Sequence, residues 1–150
     1  MDANIRGRAY MELPYPFILG NGVAGVVEDV GPSVTRFAKG DRVVSDTPSY
    51  REKEPKYGGW QKYVVSREAT TAKIPTSTTF EDAIATPFAL LTAVAALHLS
   101  LGMDKPGAKR TGKTLIWGAS GSVGGYAVQY ASSVSGFAIT IHQNKTHSYQ

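Results

Sequence analysis

The stretch from Lys113 to Ile141 constrains this chain most, because its residue pattern changes from strand to helix and back within one short segment. Lys113-Thr114-Leu115-Ile116-Trp117 is a strand signal. Gly118-Ala119-Ser120-Gly121-Ser122-Val123-Gly124 follows directly. Residues from Gly125 to Ser132 then have helical spacing, with Ala127, Val128 and Ala131 available for a buried face. Phe137 to Ile141 is a second strand. The order β-α-β is the opening of a parallel sheet.

A parallel sheet is normally covered by helices on both faces. Two strands and one helix leave an open edge and an uncovered face. Both ends of the chain are therefore expected to be cuts, or edges that partner surfaces cover. A homo-oligomer or another partner would serve.

The residues before this segment have a different rhythm. Phe17-Ile18-Leu19, Val26-Val27, Val43-Val44 and Trp60 to Val65 read as strands. Gly31-Pro32-Ser33 and Lys39-Gly40-Asp41 read as turns, and Asp46 to Gly59 as an exposed loop. Trp60 and Tyr63 are expected in the core or rim of this β unit. Ser77 to Leu101 is the first long helical signal, with Thr78 or Thr79 as its cap and Glu81 and Asp82 in its first turn. Pro87 should divide it into two helices, the second from about Ala89 to Leu99, and Gly102 is a plausible stop. The division expected is 1–76 as a β unit, 77–112 as a helical connector and 113–150 as the start of an α/β unit.

The chemistry rests on residues 118 to 124. Gly121 would let the chain approach a pyrophosphate closely, and Gly124 would let the helix pack on the strand. Backbone N–H groups at the helix start would receive phosphate oxygens, with modest help from the helix dipole. In the G-x-G-x-x-G spacing the first position here is Ala119, and an ordinary tight turn would use the same glycines. No lysine follows the glycines as in a nucleoside-triphosphate loop. The end of the second strand, Ile141-His142-Gln143-Asn144-Lys145, lacks the carboxylate that commonly holds the ribose hydroxyls of NAD. Lys145 would instead meet a 2′-phosphate and Gln143 would donate a hydrogen bond, which points to NADP(H).

Other chemistries have less support. The chain has no cysteine, so it has no disulfide and no thiolate metal site. His98, His142 and His147 show no ligand spacing, and no metal is expected. No Ser-His-acid set can be assembled around Ser120 or Ser122. The net charge of +4 is mild and the basic residues are dispersed, so no nucleic-acid partner is expected. Run length suggests no membrane span, and a cytoplasmic protein is the expectation.

Several segments together resemble the medium-chain dehydrogenase/reductase superfamily. Pro16 to Gly20 with Ala24-Gly25-Val26-Val27 is similar to its "P-x-x-x-G…A-G-x-V" block. Val30-Gly31 and Phe37 to Val43 are similar to its "V-G…F-x-x-G-D-R-V" block. Gly58-Gly59-Trp60-Gln61-Lys62-Tyr63, Leu91-Thr92-Ala93, and Ala119 to Gly124 with Ala127 and Gln129 resemble three further blocks. The branch it resembles most is the zinc-free, fungal enoyl-reductase-like and quinone-oxidoreductase-like one. Zinc-dependent members carry His-Glu where this chain has Asn21-Gly22.

The resemblance implies an α/β protein: a partial GroES-like β domain followed by the opening β-α-β of a Rossmann domain. It implies hydride transfer from NADPH to an activated C=C bond or a quinone, with a small-molecule substrate. Implied cofactor contacts are Ser120, Gly121, Ser122, Val123 and Gly124, then Gln143 and Lys145, with Thr92 near the nicotinamide. Catalytic residues are not assigned. Members of the family extend beyond both ends of this chain, so an inactive, truncated form is expected. A non-catalytic binding or interaction protein derived from the same fold is the alternative.

Overall fold

The computed structural model describes residues 2–8, 11–108, 113–135 and 138–141. Two compact units divide the chain, residues 1–88 and 89–150.

The first unit is built on an antiparallel sheet in the order β1 (Gly22–Val26), β2 (Arg42–Asp46), β3 (Thr71–Lys73). Gly22 faces Asp46 and Val26 faces Arg42 across the first pair. The ladder runs on past β1 through Val27 N–H to Asp41 O at 2.9 Å and Gly40 N–H to Val27 O at 2.8 Å. Gly40 makes that turn at φ 93°, a conformation that costs other residues a Cβ clash. The Asp41 carboxylate supports it by accepting from Ala38 N–H at 2.8 Å. The turn expected at Lys39-Gly40-Asp41 thus joins β1 to β2 through its glycine.

A seven-residue helix, α1 (Asp2–Arg8), buries Ile5 almost completely. Residues 46–59 are not a bare loop: they hold a helical turn, α2 (Ser49–Glu52), and a 3₁₀ turn, Pro55–Tyr57. Thr47 is buried there, and its hydroxyl donates to Tyr57 O at 2.7 Å. Arg42 fastens β2 to the start of α3 (Phe80–Ile84). Its guanidinium donates to Pro75 O and Thr78 O at 3.0 and 2.8 Å and lies 4.5 Å from the Phe80 ring centroid. Thr79 caps α3 by accepting from Asp82 N–H at 3.0 Å. Gly22 lets α3 close on β1, since a Cβ there would lie 3.2 Å from Ile84 Cδ1.

The expected strand from Trp60 to Val65 does not form; those residues make a bend and an irregular segment and enter no ladder. Trp60 and Tyr63 are correspondingly 76% and 65% exposed, not core. Gly59 and Trp60 donate to Gly20 O and Leu19 O at 2.9 and 3.0 Å, and Val65 N–H donates to Lys56 O at 3.0 Å. Period-2 alternation describes a strand that has a neighbour, and β1 is bonded on its β2 side alone.

Pro87 does divide the long helical signal: α3 ends at Ile84 and α4 (Pro87–Val94) begins at the proline, where a missing N–H costs nothing. From Ala95 to Ser100 the helix widens to π geometry, closed by Leu101 N–H to Ala96 O at 3.1 Å. Gly102, at φ 64°, stops it. Together residues 80–100 have the length and mean hydropathy, 1.7, of a membrane-crossing stretch. They are broken at Pro87, and they bury Ala83, Ala93 and Leu97 in the protein interior.

The second unit pairs β4 (Thr114–Trp117) with β5 (Ala138–Ile141) in parallel, Thr114 facing Ala138. The crossover is α5 (Ser122–Ser135). Ala127, Tyr130, Ala131 and Val134 of α5 pack with Ile116 and Ala119 and with Ala93 and Leu97 of the preceding helix. Leu115 and Trp117, which alternate with Ile116, are 62% and 64% exposed. Among the described residues one face of β4 is therefore covered and the other is not.

Candidate functional site

The turn between β4 and α5 is the part of the chain with the most specific geometry. Gly118 ends β4 at φ 77°. It supplies the tight reversal that the first glycine of a G-x-G-x-x-G turn provides, one position before the Ala119 of the sequence pattern. Gly121 N–H donates to Gly118 O at 3.1 Å and closes the turn. Gly125 N–H then donates to Gly121 O at 2.8 Å, which makes Gly121 the residue that opens α5.

The two inner glycines have different reasons to be glycine. A Cβ on Gly124 would lie 2.3 Å from Gly118 O and 2.8 Å from Ala119 Cα. The helix can sit this close to the strand end only because Gly124 has no side chain. A Cβ on Gly121 would meet only Gly118 O, at 3.5 Å, an ordinary contact. Packing therefore leaves Gly121 free to carry a side chain, and the residue faces open space.

Ser120, Gly121 and Ser122 are exposed and Val123 and Gly124 half-buried. The amides of Ser122, Val123 and Gly124 form the first turn of a fourteen-residue helix and have no acceptor within it. Gly121 at the cap position offers no side-chain oxygen to satisfy them. The turn thus presents a row of backbone donors with the positive end of the helix dipole behind them, which fits a phosphate group. These are the features a dinucleotide pyrophosphate requires, and the residues present fit it.

The structure brings Ser120 to Gly124 together in this one turn. Thr92 lies exposed on α4, next to Ala93, which packs in the same core as Ala119. Gln143 and Lys145 lie outside the described residues. Among the described residues, no three His, Cys, Asp or Glu side chains converge as a metal site. His98 Nδ1 is 2.6 Å from Met103 O at the end of the π segment.

A second feature was not foreseen from the sequence. In the first unit a cleft is lined by Phe17, Ile18, Leu19 and Trp60 on one side and by Asp2 and Arg6 of α1 on the other. Asp2 organises it: Trp60 Nε1–H donates to Asp2 Oδ2 at 2.7 Å and the Tyr50 hydroxyl to Asp2 Oδ1 at 2.5 Å. Tyr50 in turn accepts from Gly20 N–H at 2.8 Å. The one sequence signal was the i, i+4 spacing of Asp2 and Arg6, which puts them on one helix face. Nearby, burial raises the pKa of the Asp46 carboxyl above its ordinary value, partly offset by Arg51. Asn21 Nδ2–H donates to its Oδ1 at 3.3 Å.

Residues 1–76 match the alcohol dehydrogenase GroES-like domain family. The chain is 38% identical over 133 residues to the trans-enoyl reductase himH of Aspergillus japonicus, covering 87% of this chain and 39% of that protein. It is 41% identical over 145 residues to the dehydrogenase pigH of Monascus ruber, covering 91% and 39%. Among solved structures it is similar to the Escherichia coli quinone oxidoreductase complexed with NADPH, at 30% identity and a TM-score of 0.66. That match covers 94% of this chain and 39% of the other. The chain thus spans about two fifths of the length of these relatives.

Proposed function

Since the chain belongs to the alcohol dehydrogenase GroES-like family, on the zinc-free enoyl-reductase and quinone-oxidoreductase branch of the medium-chain dehydrogenases/reductases, we propose that it carries the pyrophosphate cradle of an NADPH-dependent reductase. The parent activity is hydride transfer to an activated C=C bond or a quinone. The observation that carries the reading is the contrast between Gly124, which packing requires, and Gly121, which packing does not. A glycine with open space in front of it, at the mouth of a helix whose first amides lack acceptors, suits a ligand that comes close to the backbone.

In this reading the amides of Ser122, Val123 and Gly124 hold the pyrophosphate, with Ser120 and the Ser122 hydroxyl beside it. The nicotinamide supplies the hydride. Thr92 orients the nicotinamide side, and Gln143 and Lys145 meet the 2′-phosphate, so NADPH binds more tightly than NADH. The chain's own part is binding and orientation.

A second reading, a non-catalytic binding protein derived from the same fold, is favoured by the uncovered β4 face with Leu115 and Trp117 exposed. Direct titration of the 150-residue chain with NADPH and NADH, beside a turnover assay with an enone or quinone, separates the two. The expected result is weak, saturable binding, tighter for NADPH, and no turnover above a protein-free control. Equal or reversed affinities would remove the role given to Lys145. Steady turnover lost on a bulky replacement at Gly121 would show that these residues suffice for catalysis.

A further inference from the structure

The sequence carries no Asp, Glu, Lys or Arg from residue 83 to residue 103. A surface helix normally has one apolar face and one charged face. The helical run 89–100 has two apolar faces. One buries Ala89, Ala93 and Leu97. The other exposes Leu91, Ala95 and Leu99, with Leu91 49% and Leu99 75% open to solvent. Leu101, just past the helix, is 74% exposed. A helix that is apolar all round belongs where both faces are covered.

The backbone aligns this second face. Positions i, i+4 and i+8 of an α-helix drift by about 80° around its axis. From Ala95 the chain is a π-helix, which advances fewer degrees per residue and turns Leu99 back toward the line of Leu91. Leu101 N–H donates to Ala96 O at 3.1 Å, which sets Leu101 one wide turn beyond Ala96. The result is an apolar stripe with Ala95 and Ala96 at its middle and leucines at its ends. His98 is half-buried beside it, with its Nδ1 2.6 Å from Met103 O.

Such a stripe is complementary to itself. Set antiparallel about a two-fold axis at Ala95, it brings Leu91 of one copy against Leu99 of the partner subunit, and the reverse, as an isologous contact requires. The small side chains of Ala95 and Ala96 let the two backbones approach closely at the axis. No like charges oppose each other along the stripe, because it has none. Covering Leu91, Ala95, Ala96, Leu99 and Leu101 on both copies removes on the order of 1,000 Å² from water, the size at which a specific interface begins. A helix that lies on a lipid surface carries Lys or Arg on its polar face. This one carries neither, which favours a second copy as the occupant. We propose that this helix face is a homodimer interface, in which two copies of the chain pack antiparallel through residues 91–101. The uncovered face of β4 takes no part in it, and cofactor binding is not required.

Sedimentation equilibrium of the 150-residue chain reads the association. The data are expected to fit one monomer–dimer equilibrium without larger species, because an isologous contact closes on itself. L99E should weaken the dimer about a hundredfold, since each dimer would bury two charges without partners. Leu99 is exposed, so the L99E monomer should keep the wild-type circular dichroism spectrum. L115E, on the β4 face, should leave the dimer constant unaltered. The chain has no cysteine, so A95C carries a sole thiol. On mild oxidation A95C should form a disulfide dimer at a concentration where S132C, exposed on α5, does not. This comparison decides the matter should L99E unfold. Several results would overturn the proposal: monomer throughout, an open-ended series of larger species, a dimer as sensitive to L115E as to L99E, or equal cross-linking of A95C and S132C. A monomer that binds phosphatidylglycerol vesicles, and loses that binding in L99E, would assign the face to a lipid surface and overturn it too.

Discussion

The paired substitutions Gly121→Ala and Gly124→Ala separate folding from binding at positions three residues apart. At Gly124 the added methyl would lie 2.3 Å from Gly118 O, 2.8 Å from Ala119 Cα and 2.9 Å from Gly118 C. All three are backbone atoms at the strand–helix junction, so relief requires moving α5 against β4. Overpacking of this kind costs about 1–3 kcal/mol, and alanine's better helix propensity returns at most about 1 kcal/mol. The expected net loss is about 2 kcal/mol, or roughly 10 °C in the unfolding midpoint of so small a unit. At Gly121 the nearest atom to the new methyl is 3.5 Å away and φ is not left-handed. Losing glycine at the cap position costs about 0.5 kcal/mol. The methyl nevertheless projects where a pyrophosphate must approach, and displacing it from even one backbone donor weakens binding about tenfold. Thermal unfolding followed by circular dichroism and an NADPH titration read the two effects. The reasoning is refuted if G124A unfolds at the wild-type midpoint, or if G121A binds NADPH as tightly as the wild type.

Other outcomes follow from the first unit. Thr79→Ala removes the α3 cap and should cost about 1 kcal/mol in a denaturant titration, with Thr79→Ser restoring most of it. Gly58→Ala would place a methyl 2.1 Å from Ile18 O, and this variant is expected to lose the native fold, seen as collapse of amide dispersion in NMR spectra. Asp46 has a raised folded pKa, so the stability it contributes is present below its ordinary value of 3.8 and is lost as pH rises through the folded value. D46N should therefore be more stable than the wild type near neutral pH, with the difference shrinking as pH falls toward 3.8; a constant difference would show that burial of the charge is not the cause. Asp41 runs the other way: its hydrogen bond from Lys73 lowers its pKa, so K73M should lower stability above that range and have less effect below it.

The strongest local signals in the chain were also the most faithful. The β-α-β order, the Gly40 turn, the Thr79 cap, the break at Pro87 and the stop at Gly102 depend on interactions within a few residues. Local chemistry therefore determines them before any long-range contact forms. The glycine turn was legible for the same reason, although the left-handed residue is Gly118 and not the Ala119 of the pattern spacing. The strand expected at residues 60–65 failed where local signals must fail: alternation provides a face, but a strand also needs a partner, and the bonded edge of β1 belongs to β2.

By itself the amino-acid sequence determined the family, the β-α-β order of residues 113–141 and the place of the glycine turn, because those are written in residue types at fixed spacing. Only the tertiary structure decided which atoms surround each residue. It named the atoms a side chain would strike at Gly124 and the space left at Gly121. It also joined Asp2 to Trp60, 58 positions apart, and placed at the exposed surface a tryptophan expected in the core or rim. Contacts at that separation depend on how the chain closes on itself, and residue spacing does not encode closure.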